Sequence, residues 1–523
     1  MSTRVKELIV ILAIALVIFR IARPIVLRFS SQSDFSRRRN VWCALTITAF
    51  LSVNFWWYSV VAIPLLLWAG RRDENPAALY LLLLQVIPTV PIDIPVAGIQ
   101  HLFPLDNYRL LSLCVLIPAA WRLRRRKPGA PVRGFDTMDI LLLAYGALQI
   151  AFFTRPDLPD NSFLQDSATN MLRRAFLYFL DVYVLYYVVS RSCNERRTIV
   201  DAMAAFCTAC AVMSGLAIFE AAKRWLLYSD IGAVWTGDPT FGFYLLRGDT
   251  IRAQASAGHP LALGYLLAIA FGFWLYLSSH MSASRSRLIV SLLYLTGLIA
   301  AYSRGPWIGA ATVFFVFIAL RPRRLSYFLK SAAVASVVAV AVGMTPVGNR
   351  ILRVLPFMGG SIDTGSIDYR ERLLERSWQL IQENIFFGDQ FVLSKMADLR
   401  QGQGIIDLVN TYVEVTLQKG LVGLSLFVGF ILIALIRAYR PTRALITTDP
   451  DLALLGASLV ACILGTLLMI ENCSFIYGYE KMFYVLAGLA TGYAHFSQVR
   501  QRKGAHSPTN LLPNGSRCLT VNI

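Results

Sequence analysis

Apolar segments long enough to cross a lipid bilayer recur along nearly the whole chain. The clearest lie at 137–154, 172–190, 198–219, 260–278, 286–302, 306–320, 328–345, 419–436, 452–470 and 481–496. The N-terminal part adds candidates at 7–24, 77–90 and 107–121, while 41–69 is either two short helices or one long tilted helix. A backbone in lipid must satisfy its own hydrogen bonds, and these runs lack the alternation of barrel strands. The sequence therefore predicts an all-α polytopic membrane protein with about 13 to 15 transmembrane helices.

Composition and charge exclude other classes of protein. Hydrophobic residues make up 56% of the chain and charged residues 15%, which is not the composition of an ordinary soluble protein. The net charge of +19 resides largely in short loops between apolar runs, so nucleic acid is not expected as a partner. The eight cysteines form no disulfide or zinc spacing, and "CTAC" (207–210) lies inside an apolar run, where packing of small residues is expected.

The lysines and arginines predict the orientation of the chain, because they remain on the cytoplasmic side in short loops. Basic loops occur at 36–40, 70–76, 121–133, 190–197, 282–287, 321–330 and 437–443. The alternate connections, 91–106, 155–171 and 471–480, are mainly acidic and are predicted to lie outside. The resulting regions are N-terminal helices at 1–219, an outer segment and central helices at 220–345, a large outer loop at 346–418, C-terminal helices at 419–498 and a cytoplasmic tail at 499–523.

Arginine at the outer ends of two apolar runs suggests a binding site. In "AYSRGPWIGA" (301–310), Arg304 stands in a turn of a few residues between two spans. An arginine in hydrocarbon is costly, so this residue either reaches to water at the boundary or binds an anion. Arg252 and His259 stand just before a span that opens at Pro260, where a helix N-terminus favours anions, although a plain interfacial anchor is the more common explanation of such residues.

The large outer loop carries two further candidate stretches. In "YRERLLERSWQLIQENIFFGDQ" (369–390), apolar residues recur at helical spacing and predict an amphipathic helix that begins near Arg370. Its apolar positions are Leu374, Trp378, Ile381 and Ile385. Such a helix simply lies on the membrane surface, or it also covers a site and guides a lipid-linked substrate. In "DLVNTYVEVTLQKGLVGL" (407–424), polar groups reach the membrane edge before a span that begins near Lys419: Asp407, Asn410, Tyr412 and Glu414.

Three motifs in this order resemble the O-antigen ligase and polymerase superfamily. They are "SRGPWIGA", Arg370 followed by "QENIFFGDQ", and "NTYVEVTLQKGLVGL", and they cover about 250–430. The resemblance implies a GT-C-like glycosyltransferase in the bacterial cytoplasmic (inner) membrane, with its active site facing the periplasm. Its partners would be a polyprenyl-diphosphate-linked glycan and membrane lipid, with a chain-length regulator protein as a further candidate. The implied inverting transfer needs no nucleotide, cofactor or metal.

The resemblance also implies roles for individual residues. Arg304 and Arg370 match the arginine positions of the superfamily, where they would stabilise charge on the leaving diphosphate, and Arg252 is a third candidate cation. Together with His259, Asn410 and Tyr412, Arg252 is expected to bind substrate. The chain has Val409 where the superfamily has a histidine, so Asp407 or Glu414 is the candidate general base.

The missing histidine favours a polymerase of repeat units, making O-antigen or exopolysaccharide, over a ligase that transfers glycan to lipid A core or protein. A flippase for lipid-linked oligosaccharides is the alternative from another functional class. Its best candidate residue is Asp181, within the apolar run "FLYFLDVYVLYYVV", although an aspartate bonded to neighbouring helices explains the same sequence. The repeated halves of many transporters are not evident.

Overall fold

A computed structural model gives the architecture of the chain, which is mostly α-helical as the apolar pattern predicts. It describes residues 3–96, 102–125, 134–151, 168–237, 246–247, 250–281, 284–321, 326, 364–389, 391–400, 406, 408–474 and 478–505. The predicted span at 328–345 lies outside these residues.

The N-terminal half is a succession of helices joined by short turns. They are α1 (Thr3–Val26), α2 (Gln32–Leu51), α3 (Phe55–Arg72), α4 (Pro76–Leu83), α5 (Asn107–Leu111), α6 (Ile117–Arg124), α7 (Thr137–Ala151), α8 (Ala168–Tyr178), α9 (Val184–Ser192), α10 (Arg196–Lys223) and α11 (Ser229–Thr236). One π-helical turn at Ser112–Leu116 joins α5 to α6, and another at Phe179–Tyr183 joins α8 to α9. The stretch 41–69 thus belongs to two helices, with Asn54 capping the second.

The second half contains longer helices and the outer loop. They are α12 (Pro260–Leu277), α13 (Ser284–Ala300), α14 (Arg304–Ala319), α15 (Thr364–Glu383), α16 (Thr411–Leu445), α17 (Pro450–Glu471) and α18 (Glu480–Ala505). Two short antiparallel pairs are also present, β1 (Ile92–Asp93) with β2 (Pro104–Leu105) and β3 (Leu246–Arg247) with β4 (Thr250–Ile251). Three 3-10 helices lie at Ala255–Ala257, Ser278–His280 and Val392–Leu399. The last long helix before α17 begins at Thr411, earlier than the predicted start near Lys419.

Among the described residues, five helices are long and apolar enough to cross a membrane: α1, α10, α12 with its extension to His280, α16 and α17. The chain is therefore an integral membrane protein, as predicted. Within the predicted span at 77–90 only the eight residues of α4 are α-helical, and all of them are buried. The run nevertheless passes along α10 from one end of the molecule to the other, because Asn75 donates to Asp201 near the start of α10 and the carbonyl of Gln85 accepts from Ser256, which follows the end of α10.

The basic loops meet at one end of the molecule. Arg38 at the start of α2 donates to Asp73 after α3 (2.7 Å) and to Asp201 of α10 (2.8 Å), and all three side chains are buried. At the same end, Arg196 and His280 both pair with Asp451 at the start of α17. The turn at Arg304 lies at the opposite end, because α17 runs away from Asp451 toward it.

Glycines bring α12, α14 and α17 into close contact. A Cβ on Gly264 of α12 would lie 2.6 Å from Cγ of Pro306 in α14, so only glycine fits there. Gly309 of α14 likewise leaves no room beside Met469 of α17. Small residues let membrane helices approach closely, and here they fix the start of α14 against both neighbours. Cys207 and Cys210 pack in α10 in the same manner, since both are buried with their Sγ atoms near carbonyls of α12.

Candidate active site

Arg304 occupies the first turn of α14, immediately after a tight connection from α13. Tyr302 in this connection adopts a left-handed backbone with φ of 50°, and Ser303 is buried. The indole of Trp307 donates to the carbonyl of Leu298 at 2.9 Å and ties the two helices together. Arg304 is therefore held at a helix N-terminus on a rigid turn, where free backbone N–H groups add a partial positive charge.

The guanidinium of Arg304 is half-buried and has an unsatisfied donor. Its Nε is buried and has no hydrogen-bond partner among the described residues. Buried polar groups in proteins are nearly always bonded, and an unbonded donor costs about 1–3 kcal/mol. A cation that retains an unused donor beside a helix N-terminus is suited to receive an anion.

Arg252 and His259 lie next to this turn. Arg252 donates from Nη2 to Oγ of Ser303 at 2.5 Å, and the backbone N–H of Ala253 donates to the carbonyl of Ala300 at 3.0 Å. His259 caps α12 by accepting the N–H of Leu261 on Nδ1 at 3.2 Å. Burial, and then the charge of Arg252, lowers the pKa of His259 to about 4, so the imidazole is neutral at neutral pH. The structure thus brings together Arg252, His259 and the Arg304 turn.

Asn410, Tyr412 and Glu414 lie at the start of α16. Asn410 caps this helix, its Oδ1 accepting the N–H groups of Tyr412 (2.9 Å) and Val413 (3.1 Å). The hydroxyl of Tyr412 donates to the carbonyl of Leu467 in α17 at 3.0 Å. Both side chains therefore use these oxygens to position the start of α16 against α17.

The C-terminal end of α17 connects the Arg304 turn with the start of α16. A Cβ on Gly305 would lie 3.4 Å from the hydroxyl of Tyr265 and 3.9 Å from Cβ of Asn472, the residue that follows α17. Thr411, the first residue of α16, donates from Oγ1 to the carbonyl of Cys473 at 2.8 Å. The N-termini of α12, α14 and α16 therefore surround one end of α17.

Two tyrosines that the sequence analysis did not single out lie between these groups. Tyr265 donates to the carbonyl of Met469 at 2.8 Å and stacks on Tyr479, with ring centroids 4.6 Å apart. Tyr479 in turn lies within electrostatic range of Glu414 and Glu480. Tyr265 sits in an apolar run that reads as core, so its position beside Gly305 could be found only from the fold.

Asp181 is bonded to neighbouring helices, which was one of its two predicted explanations. Its carboxylate accepts from Nε of Arg109 at 3.1 Å and from Nζ of Lys481 at 2.8 Å. Arg109 also lies 3.6 Å from Asp106, the cap of α5. Glu480, adjacent to Lys481, lies within electrostatic range of both Asp181 and Glu414. The sequence analysis missed Arg109, Glu480 and Lys481 because each reads as an ordinary residue at the end of a span.

Arg370 and Asp407 are placed differently. Arg370 is exposed near the start of α15, and within the described part of the chain no hydrogen bond or ion pair joins it to the Arg304 turn. Asp407 lies outside the described residues.

The outer loop is locked into a break in α16. At Gly420 this helix leaves helical geometry, with φ of 60° and ψ of −165°. The backbone carbonyls of Ile385 and Phe386 accept the N–H groups of Leu421 (2.8 Å) and Val422 (3.1 Å), which follow the break. In the opposite direction, the backbone N–H of Asp389 donates to the carbonyl of Leu417 at 2.7 Å. We call residues 385–389 together with 417–422 the glycine clamp.

Both glycines of the clamp are required by close contact as well as by conformation. A Cβ on Gly388, whose φ is 65°, would lie 2.5 Å from the backbone N of Lys419. A Cβ on Gly420 would collide with the backbone of Phe386. Both positions therefore need a residue without a side chain, and both glycines belong to the motifs quoted from the sequence.

Comparison with known proteins supports the motif assignment. No curated protein sequence matches the chain. Residues 289–428 match the family model described as O-Antigen ligase, a range that contains Arg304, Arg370 and the start of α16 but not Arg252 or His259. Residues 289–428 are therefore similar to the O-antigen ligase family, which confirms the resemblance to the O-antigen ligase and polymerase superfamily.

Proposed function

We propose that this protein polymerises polyprenyl-diphosphate-linked oligosaccharide units into a surface polysaccharide on the periplasmic face of the bacterial inner membrane. The observation that carries the proposal is the buried Nε of Arg304, which has no hydrogen-bond partner in the described part of the chain and lies on a rigid turn inside the matched range. A guanidinium fork fits the oxygens of a phosphate and binds them by two hydrogen bonds.

The proposed reaction breaks the bond between the anomeric carbon of the growing glycan and its lipid diphosphate. Negative charge develops on the departing diphosphate, and Arg304 stabilises that charge more in the transition state than in the ground state. Arg252 donates to Ser303, the residue before Arg304, and adds positive potential at the site. Arg370 supplies a second guanidinium from the outer loop. His259 is neutral and keeps its Nδ1 for capping α12, so it shapes the site without adding charge.

An acceptor sugar hydroxyl attacks the anomeric carbon from the face opposite the diphosphate and inverts its configuration. The proton of that hydroxyl needs a base, and Glu414 is the candidate in the first turn of α16, beside Tyr479 and Glu480. Asp407 is the second candidate. Asn410 and Tyr412 contribute by fixing the direction of α16, and the scheme requires neither nucleotide nor metal.

Val409 favours polymerase over ligase in this proposal. It replaces the histidine of the superfamily pattern and adopts φ of 51°, a conformation that costs a β-branched residue energy. A base at that position is absent from this chain, so the acceptor is activated differently from the superfamily pattern. A ligase acting on lipid A core or protein is the alternative, and a flippase is the second alternative.

The proposal includes a topology for the chain. It has about 13 to 15 membrane spans in a GT-C-like arrangement. The loop at 346–418 is periplasmic and the tail at 499–523 is cytoplasmic, because the basic loops gather at the end opposite Arg304.

One reaction distinguishes these functions. The purified protein is incubated with a synthetic polyprenyl-diphosphate repeat unit and no other acceptor, and the products are separated by size. A ladder with inverted linkages supports the polymerase. Product formed only after lipid A core or an acceptor protein is added identifies a ligase. Movement of the repeat unit across a vesicle membrane without any new linkage identifies a flippase.

A further inference from the structure

Five large apolar side chains form an exposed patch on the outer loop. Leu374 and Trp378 of α15 are each 61% exposed, and Phe386 is 66% exposed. The patch, which we call the aromatic patch, consists of Leu374, Trp378, Ile385, Phe386 and Phe387. Contiguous exposed apolar surface is uncommon on soluble surfaces and marks contact with another apolar medium.

The aromatic patch is not the face by which α15 packs onto the protein. Leu373, Ser377 and Leu380 are the buried residues of this part of α15. Leu373 and Ser377 directly precede the patch residues Leu374 and Trp378 in the sequence. Leu373 and Leu380 pack with Val392, Met396, Leu399, Leu408 and Leu417 in a separate small core. The helix therefore already has its internal contacts, and Leu374 and Trp378 lie on the neighbouring, exposed face.

The aromatic patch continues directly onto the lipid-facing side of α16. The backbone carbonyl of Phe386 accepts the N–H of Val422, so Phe386 and Phe387 lie beside the first turn after the break at Gly420. Leu421, Leu432 and Ile436 remain 45%, 45% and 43% exposed along α16. Only 33% of the apolar stretch of this helix is buried in the protein. Exposed apolar residues on a membrane-spanning helix face lipid, and the aromatic patch extends the same surface.

We propose that the aromatic patch is a membrane-binding surface, which inserts into the boundary between head groups and acyl chains of the leaflet on the Arg304 side. Trp is enriched at this depth, and an amphipathic helix that lies there buries an apolar face of Trp, Phe and Leu side chains in the lipid. Arg370 and Arg372, both exposed on α15, match the negative charge of lipid phosphates.

This anchoring determines where Arg370 lies. Arg370 precedes Leu374 by four residues, so the two side chains are neighbours on one side of the helix. With Leu374 in the membrane boundary, the guanidinium of Arg370 is at the depth of lipid phosphates. The membrane contact does not depend on the proposed glycosyl transfer and can be tested without substrate.

The test uses full-length protein in nanodiscs of phosphatidylethanolamine and phosphatidylglycerol, in a background without reactive native cysteines. Spin labels are placed at Trp378→Cys and Phe386→Cys, with Glu383→Cys as the matched control, since Glu383 is an exposed polar residue of the same helix. We expect the first two labels to show a several-fold higher ratio of oxygen to aqueous nickel accessibility than the control.

A second measurement avoids the introduced cysteines. Tryptophan fluorescence of the wild-type protein and of Trp378→Phe is compared in lipids brominated near the head-group end of the acyl chains. The difference between the two proteins isolates Trp378, and we expect that component to be quenched. If Trp378 is unquenched, or if the labels at 378 and 386 are as accessible to nickel as the control, the proposal is overturned and the patch is a surface for another protein.

Discussion

Replacing Arg304 by lysine separates an anion clamp from a boundary anchor. Lysine retains the charge but loses the planar fork, whose buried Nε has no partner among the described residues and in our proposal binds the anion. Loss of one charge-assisted hydrogen bond costs about 1.5–3 kcal/mol, which corresponds to a rate reduction of about 10- to 150-fold. Alanine removes the charge as well, and we expect a reduction beyond about 1,000-fold.

The assay measures the initial rate of polymer formation by purified protein on the synthetic repeat unit. Because the lost interaction belongs to the transition state, kcat and kcat/KM should fall together. Arg285→Lys and Arg285→Ala are the matched controls, since Arg285 is an exposed arginine in the first turn of α13 at the other end of the molecule. Membrane abundance and detergent melting temperature are measured for every variant. Full polymer synthesis by Arg304→Lys would refute the clamp, because a boundary lysine reaches water as well as an arginine does.

Three further predictions concern stability and topology. Gly420→Ala should lower the melting temperature and speed proteolysis of the outer loop, since its backbone (φ 60°, ψ −165°) lies in a region used almost only by glycine and costs another residue about 1–3 kcal/mol. Gly429→Ala, with open space around it, should be neutral or slightly stabilising. Asp398→Cys should react with an impermeant thiol reagent in intact cells and Glu74→Cys only after lysis; the reverse pattern would invert the topology. The folded-state pKa of His259, about 4, lies below the ordinary value, so its contribution to stability is present above about pH 6.5 and is lost as the pH falls toward 4. His259→Asn, which can make the same cap, should therefore lose less melting temperature between pH 7 and pH 5; an equal loss in both proteins would contradict this account.

Local sequence signals predicted the helices and the turn that carries Arg304. A short polar interruption between two apolar runs can only be a turn, and the structure places α13 and α14 on either side of it. The paired glycines at 388 and 420 also belonged to recognisable motifs. These features depend on neighbours within a few residues, which is the range over which sequence patterns are informative.

Features that depend on distant contacts could not be predicted. Asp181 pairs with Lys481, which is 300 residues away along the chain. Nothing near either residue indicates that their helices meet. The apolar run that contains α4 is enclosed by protein, which could not be predicted because hydropathy does not distinguish burial in protein from burial in lipid. For the same reason, hydropathy could not show that Leu373 and Leu380, next to the predicted apolar positions, form the buried face of α15.

The glycine clamp has a consequence for exchanging parts between relatives of this protein. A designer who transplants the outer loop alone would separate Phe386 from the N–H of Val422, and Asp389 from the carbonyl of Leu417. The break in α16 would then expose backbone donors at the membrane edge, where water is scarce. Functional chimaeras should therefore have crossover points outside 385–422, with the loop and the first turns of the following span inherited from one parent.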